Sequence, residues 1–365
     1  MKLADLIVRT AEAGLRLQHP DGSFPAGCNG PYGDPETPIR NTAHWAITLL
    51  AAHRLSGGEQ LSAGALRARE VLMAPDARPM GATFLCRTNP DKDFANGLIG
   101  QAWVIEALAT LHEALDDRRA HEVATQVFLL HPFSDARGLW RRVNVDGSHL
   151  TIDATFNHQL FFAAAGALLD PLGRSEIGAL VRRFMDRTLD GTLEVRSTGR
   201  IRHASGPLRI QARIRHLLAG LRSPAAEWRK SRTLSLKEVG YHAFNLYGLA
   251  RLHRFCPDHP LWRGRRFRRA LRYLRSTAFQ SSLRNPFGGP YNPVGFESAL
   301  AIETFQGLSP LDLGSPAAWV ERQLSHTFDP ESGLMTQNTP DPQTLAARFY
   351  EVTRLKDVDL ELRLA

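Results

Sequence analysis

Two kinds of helical segment alternate along the chain. AHWAITLLAAHRL (43–55), GLIGQAWVIEALATLHEAL (97–115), ATFNHQLFFAAAGALL (154–169), GYHAFNLYGLARLHRF (240–255) and GFESALAIETFQGL (295–308) repeat apolar residues at i, i+3, i+4 and i+7 and are apolar nearly all round. LSAGALRAREVLM (61–73), EIGALVRRFMDRTL (176–189), LRIQARIRHLLAGL (208–221) and RFRRALRYLRS (266–276) each keep a charged face. A helix that is apolar on every side needs cover on every side, whereas one with a single wet face lies outside it. The pattern therefore predicts inner helices ringed by outer ones. The inner segments start near residues 42, 97, 155, 240 and 295, mostly about 55–60 apart, which suits a hairpin of two helices with its loops. With the N-terminal segment this gives about ten to twelve helices in an all-α (α/α) toroid, either incomplete or a six-hairpin barrel. An open α-solenoid is the alternative.

Strand signals are few. RVNVDGSHLTI (142–152) and TLEVRSTGRIRHAS (192–205) predict small β-hairpins inserted at a rim. The Gly- and Pro-rich loop at 19–41 has a length more typical of functional loops than of simple connections. Nothing reads as a linker, so residues 1–365 are expected to form one domain, with the last 20 residues as an appendage.

Composition narrows the partners. The chain is 43% hydrophobic and 22% charged, with a formal charge of +8, so an anionic partner is expected. The densest basic run, residues 262–276, keeps Leu and Phe at helical spacing and reads as the solvated face of an amphipathic helix. Without zinc-finger or RNP-type motifs, nucleic acid is not the expected partner; an anionic oligo- or polysaccharide is. Cys28, Cys86 and Cys256 are isolated, which suggests neither a disulfide framework nor a metal site, and no cofactor is implied. Asp5, Arg9, Glu12 and Arg16 break up the N-terminal segment, which reads as an amphipathic helix and not a signal peptide. No stretch approaches the roughly 18 apolar residues of a membrane span, so a cytoplasmic location is expected.

Each inner segment opens on polar residues: Arg40, Asn41, His44 and Trp45; Asp93 and Asn96; Asp153 with Asn157-His158; Tyr241-His242; and Tyr291-Asn292 with Glu297. In a toroid the N-terminal ends of the inner helices converge at one mouth, where free N–H groups and partial positive charge suit an anion. Asn41, Asp93 and Asn96 equally suit plain N-caps, and Trp45 suits the core. Asn157-His158 and Tyr241-His242 interrupt apolar faces, where capping explains less, although a lone histidine there is commonly a satisfied core residue. Such a set could remove the C5 proton of a uronic acid. An amide and a cation would stabilise the enolate-like anion as an oxyanion hole does. A histidine or tyrosine would take the proton, and a tyrosine would protonate the leaving oxygen.

These residues carry a resemblance. TFNHQLFFAAAGALL is similar to the helix bearing an Asn-His pair in the alginate lyases and heparinase-like toroid lyases, and GYHAFNLYGLARL resembles their Tyr-His helix. The resemblance implies an (α/α) toroid and metal-independent β-elimination at uronic acids, with C5 epimerisation a variant sharing the first step. It implies that Asn157 neutralises the carboxylate, His158 is base or orienter, Tyr241 is acid and possible base, and His242 supports it. In that family an arginine precedes the tyrosine by seven residues. Here the position is Leu234, with Arg232 and Lys237 out of phase, which leaves Arg40 and Arg87 as candidate cations. The two motifs cover under a tenth of the chain. The rival readings are an (α/α) toroid glycoside hydrolase such as an unsaturated-uronyl hydrolase, using carboxylates such as Asp93, Asp153 and Glu297, and a non-enzymatic basic helical scaffold. QHPDGSF resembles a terpenoid-cyclase repeat but occurs once, as an Asp-Gly turn.

Overall fold

A computed structural model describes residues 1–206, 224–308 and 312–361; the segment predicted as a helix at 208–221 lies outside them. Its helices are α1 (Leu3–Leu15), α2 (Ile39–Ser56), α3 (Glu59–Met73), α4 (Gly97–Leu115), α5 (Arg118–Leu129), α6 (Phe156–Leu169), α7 (Glu176–Arg187), α8 (Pro224–Gly240), α9 (His242–Phe255), α10 (Arg265–Tyr273), α11 (Val294–Phe305), α12 (Pro316–Thr327) and α13 (Pro342–Ala347). The five segments expected inside are α2, α4, α6, α9 and α11, and their side chains are buried over most of each helix. Each packs on the next: α2 on α4, α4 on α6, α6 on α9, and α9 on α11. Outer helices α1 and α3 lie against α2, α5 against α4, α7 against α6 and α12 against α11. This is an (α/α) toroid.

The ring is closed by a sixth inner element that the sequence pattern hid. Helix α13 runs into a 3-10 turn over Arg348–Arg354, and this pair packs on both α2 and α11. The inner wall over 342–354 thus runs into the last 20 residues, the stretch expected as an appendage. Its start is set by Asp341, whose side chain accepts from the Thr344 N–H at 3.2 Å, with Pro342 in the first turn. RFYEVTR looks like surface because it mixes both charges with apolar residues, but here the charges pair inside. Arg348 contacts Glu297 at 3.0 Å and Glu351 at 2.5 Å, all three being fully buried. Further along the axis Glu106 pairs with Arg251 at 3.0 Å and with Arg354 at 2.5 Å.

Small residues let the inner helices approach closely. A Cβ on Gly248 of α9 would sit 2.8 Å from the Leu160 side chain of α6, and beside it Phe161 stacks on Phe244 with centroids 3.9 Å apart. The predicted hairpin at 142–152 is present: β1 (Phe133–Ser134), β2 (Leu139–Val143) and β3 (His149–Ile152) form an antiparallel sheet. The second predicted hairpin is reduced to one bridge, Val195 to Ile201, tied to the start of α6 by a bridge from Ala204 to Thr155. No helix among the described residues is long and apolar enough to cross a membrane.

Candidate active site

The N-terminal ends of the inner helices surround a cavity of about 210 Å³. Of the residues singled out in the sequence, Asn157, His158, Tyr241, Arg87, Asn96, Tyr291 and Asn292 line it. His158 sits in the first turn of α6, with a 28% exposed side chain, and its Nδ1–H donates to Asp153 Oδ2 at 2.9 Å. Asp153 precedes the helix and is fully buried. Burial alone would raise its pKa, but the His158 ring, the Thr155 N–H and Arg142 together hold it at about 2. An ionised carboxylate on Nδ1 fixes the imidazole's tautomer and leaves Nε2 free to exchange a proton.

Tyr241 occupies the break between α8 and α9 (φ −89°, ψ 3°), which aims its ring into the cavity. Its hydroxyl is 3.0 Å from that of Tyr32, which comes from the 19–41 loop. Burial, then the neighbouring Tyr32 and Tyr291, push its pKa well above the usual tyrosine value, so Tyr241 is a proton donor at neutral pH. His203, from the turn after the 195–201 bridge, lies beside it with ring centroids 5.5 Å apart. Burial and then the Lys237 charge lower His203 to about 3, so this second imidazole is neutral.

Among the described residues four cations line the cavity: Arg87, Lys92, Lys237 and Arg348. Arg87 is held by Asp93 at 3.1 Å and Asp34 at 3.6 Å, Lys92 by Asp34 at 2.5 Å, and Arg348 by Glu297 and Glu351. Lys237 has no carboxylate partner among the described residues; its ammonium lies over the Tyr32 ring at 4.7 Å and the Phe287 ring at 5.4 Å. Burial, and then Lys92, lower its pKa. Lys237 is out of phase with position 234. It stands four residues before Tyr241, however, and its carbonyl accepts the Tyr241 N–H at 2.8 Å, so the two share a helix face. Among the described residues, three buried polar atoms of the cavity lining have no hydrogen-bond partner: Asn96 Nδ2, Asn157 Oδ1 and His203 Nδ1. Buried polar groups are rarely left unpaired, so a polar ligand is the natural complement. Asn96 is delivered by a left-handed backbone (φ 56°) at the start of α4, a conformation asparagine tolerates better than most residues.

The remaining candidates lie behind the surface or away from it. Asp93, Asp153 and Glu297 brace Arg87, His158 and Arg348. Arg40 is buried against Glu36 at 3.1 Å and over the Trp103 ring at 3.9 Å. Asn41 anchors the loop by donating to the Pro25 carbonyl at 2.8 Å. Trp45 stacks on Phe24 in the core. His44 is wedged against Tyr350 and Trp103. His242 is a satisfied core histidine: Nδ1 accepts the Ile201 N–H at 3.2 Å and Nε2 donates to the Ala270 carbonyl at 3.1 Å, and burial lowers it to about 3. It holds the wall together and does not line the cavity. Missed by the sequence reading were Asn29, Tyr32 and Asp34, although the length of their loop had marked it as functional, and His203, Lys237 and Arg348.

One guanidinium between two buried carboxylates has a pH signature. Burial, then Glu351, raise Glu297 well above the usual range, while burial raises Glu351 to about 7 and Arg348 pulls it back. The folded state therefore keeps a proton that the unfolded chain releases. The stability this contributes is complete below the unfolded carboxylate pKa and is lost as pH rises through about 7. The melting temperature is expected to fall from about pH 5 to about pH 8, and Glu297→Gln should flatten that fall, as scanning calorimetry would read.

No protein-family model matches the chain. Solved structures with the same fold include a cellobiose 2-epimerase from Bacillus thermoamylovorans (TM-score 0.63, 11% identity, 96% of this chain and 98% of that one). A sugar epimerase from a ruminal bacterium gives TM-score 0.65 at 12% identity, covering 96% and 97%. An unsaturated glucuronyl hydrolase specific for heparin gives 0.62 at 12% identity, covering 96% and 94%. At such identities they share the toroid and no more, and the alginate-lyase likeness rests on its two short motifs. Sequence similarity is much stronger to "Archaeal glycosylation protein Q" of Haloferax volcanii, 45% identical over 378 positions and spanning 99% of each chain. The chain belongs to the archaeal glycosylation protein Q family.

Proposed function

We propose that this chain is a carbohydrate-active enzyme that removes the C5 proton of a uronic acid unit in a glycan. The observation that carries the reading is a carboxylate-oriented imidazole, His158 on Asp153 at 2.9 Å, lining one cavity with a protonated Tyr241 and a cation, Lys237, that lacks a carboxylate partner among the described residues. In this reading the substrate carboxylate lies against Lys237 and Arg87. His158 Nε2 takes the proton from C5, and the electron pair delocalises into the carboxylate, whose oxygen Asn157 and the cations stabilise. Tyr241 donates its proton, and the Tyr32 hydroxyl at 3.0 Å can hydrogen-bond to the phenolate as it forms. Donation to C5 from the opposite face gives the epimer; donation to the O4 leaving group gives the unsaturated sugar.

The relative's name points to glycosylation. Building a glycan favours epimerisation over cleavage, and we take the epimer as the principal product. Hydrolysis suits the cavity less well. It calls for two carboxyls, or an equivalent acid and water-activating group, flanking the bond. Among the described residues Asp34 is the one carboxylate lining the cavity, and it is tied to Lys92 and Arg87.

Uronate oligosaccharides incubated with the protein should yield the C5 epimer by NMR without the ultraviolet absorbance of an unsaturated uronate. A rise in absorbance would make it a lyase, and glycosidic cleavage yielding saturated ends would overturn the reading in favour of a hydrolase. Lys237→Ala is expected to raise KM for the uronate by about tenfold, the loss of a charge-assisted contact, and to leave the weak binding of the neutral hexose analogue unchanged.

A further inference from the structure

We propose that the side of the barrel formed by α10 and the outward half of α8 docks on an anionic lipid surface. Helix α10 buries Phe267, Ala270 and Leu271 and turns Arg265, Arg268 and Arg272 to solvent. Arg266 and Arg275 are exposed as well, and no ion pair joins these arginines to a carboxylate among the described residues. An ordinary solvated helix face mixes charges of both signs. Here arginines of one sign repeat at i+3 and i+4, a spacing at which like charges destabilise a helix, and an anionic surface would relieve that repulsion.

The neighbouring α8 adds what a simple polycation lacks. Trp228 is 63% exposed and Leu236 37% exposed on a helix that also presents Arg229 and Arg232, with the Arg232 guanidinium 5.7 Å from the Trp228 ring. The two helices are joined through the 195–201 turn. Arg200 donates to Ser235 Oγ of α8 at 3.0 Å, and a Cβ on Gly199 would lie 2.6 Å from the Arg269 carbonyl of α10. An indole and a leucine among arginines match the headgroup region of a bilayer, where tryptophan's amphipathic ring settles and anionic lipids attract the cations. A nucleic acid would use the arginines but offers Leu236 no seat. Nine residues on from Trp228, Lys237 lies on the opposite, cavity-lining face of α8, about 14 Å further along the axis at 1.5 Å per residue, so docking by the outward face leaves the cavity side of the helix free. The inference does not depend on which reaction the cavity performs.

The full chain would be sedimented with vesicles of phosphatidylcholine alone or containing phosphatidylglycerol, beside Arg265→Glu/Arg268→Glu/Arg272→Glu and Trp228→Ala variants whose folding is checked by circular dichroism. We expect at least tenfold stronger partitioning onto the phosphatidylglycerol vesicles, lost in the charge-reversed variant, and severalfold weaker in Trp228→Ala. Failure of the wild-type protein to bind them would overturn the proposal. So would equal binding by the charge-reversed variant, or capture by a single-stranded RNA oligonucleotide in preference to the vesicles.

Discussion

His158→Ala is expected to lower kcat by about 10²–10⁴-fold, the usual contribution of a positioned general base, with little change in melting temperature. The ring sits at the cavity surface and among the described residues makes one hydrogen bond, to Asp153, so removing it leaves no apolar void in the core. The companion Asp153→Asn separates orientation from basicity. An asparagine amide can donate to Nδ1 where the carboxylate accepts, which favours the tautomer whose Nε2 carries the proton and cannot act as base. Its loss should appear in kcat and not in KM. A merely structural histidine would show the opposite pattern: lowered stability with kcat preserved.

Arg348→Met is the substitution with the largest expected effect on folding, about 3–5 kcal/mol by analogy with other broken buried ion pairs. Arg348 is 1% exposed and is shared by Glu297 and Glu351; removing it leaves two carboxylates in the core with no cation on them. It also donates to Asn292 Oδ1 and to the Tyr291 carbonyl at 3.3 Å, so the cavity wall loosens with it. Denaturant unfolding would read the loss. The triple variant Arg348→Met/Glu297→Gln/Glu351→Gln should recover part of it, because neutral amides cost less to bury than unpaired charges.

Five of the six inner elements could be read from the sequence because burial on both sides leaves apolar runs that periodicity detects. The sixth could not, since Arg348 and Arg354 reach their partners Glu297 and Glu106 across 51 and 248 positions and look like surface until those partners are known. The lining of the candidate site was legible where a polar side chain interrupts an apolar helix, as at Asn157, His158 and Tyr241. That signal also selected His242, which turned out to spend both ring nitrogens on backbone groups of the wall. It missed Tyr32 and His203, which sit on irregular backbone where no periodicity exists. Lys237 is hidden for a different reason: the seven-residue spacing of the lyase motif falls on Leu234, whereas this cation stands four residues before Tyr241.

The most direct test of the central claim is exchange of the C5 proton. Wild-type protein and His158→Ala would be incubated with uronate oligosaccharides in heavy water, and the recovered sugar examined by mass spectrometry and proton NMR. Deuterium entering at C5 with the wild-type protein, and failing to enter with His158→Ala, is the predicted result. Turnover of the glycan with C5 still carrying its original proton, or equal exchange by both proteins, would contradict the account.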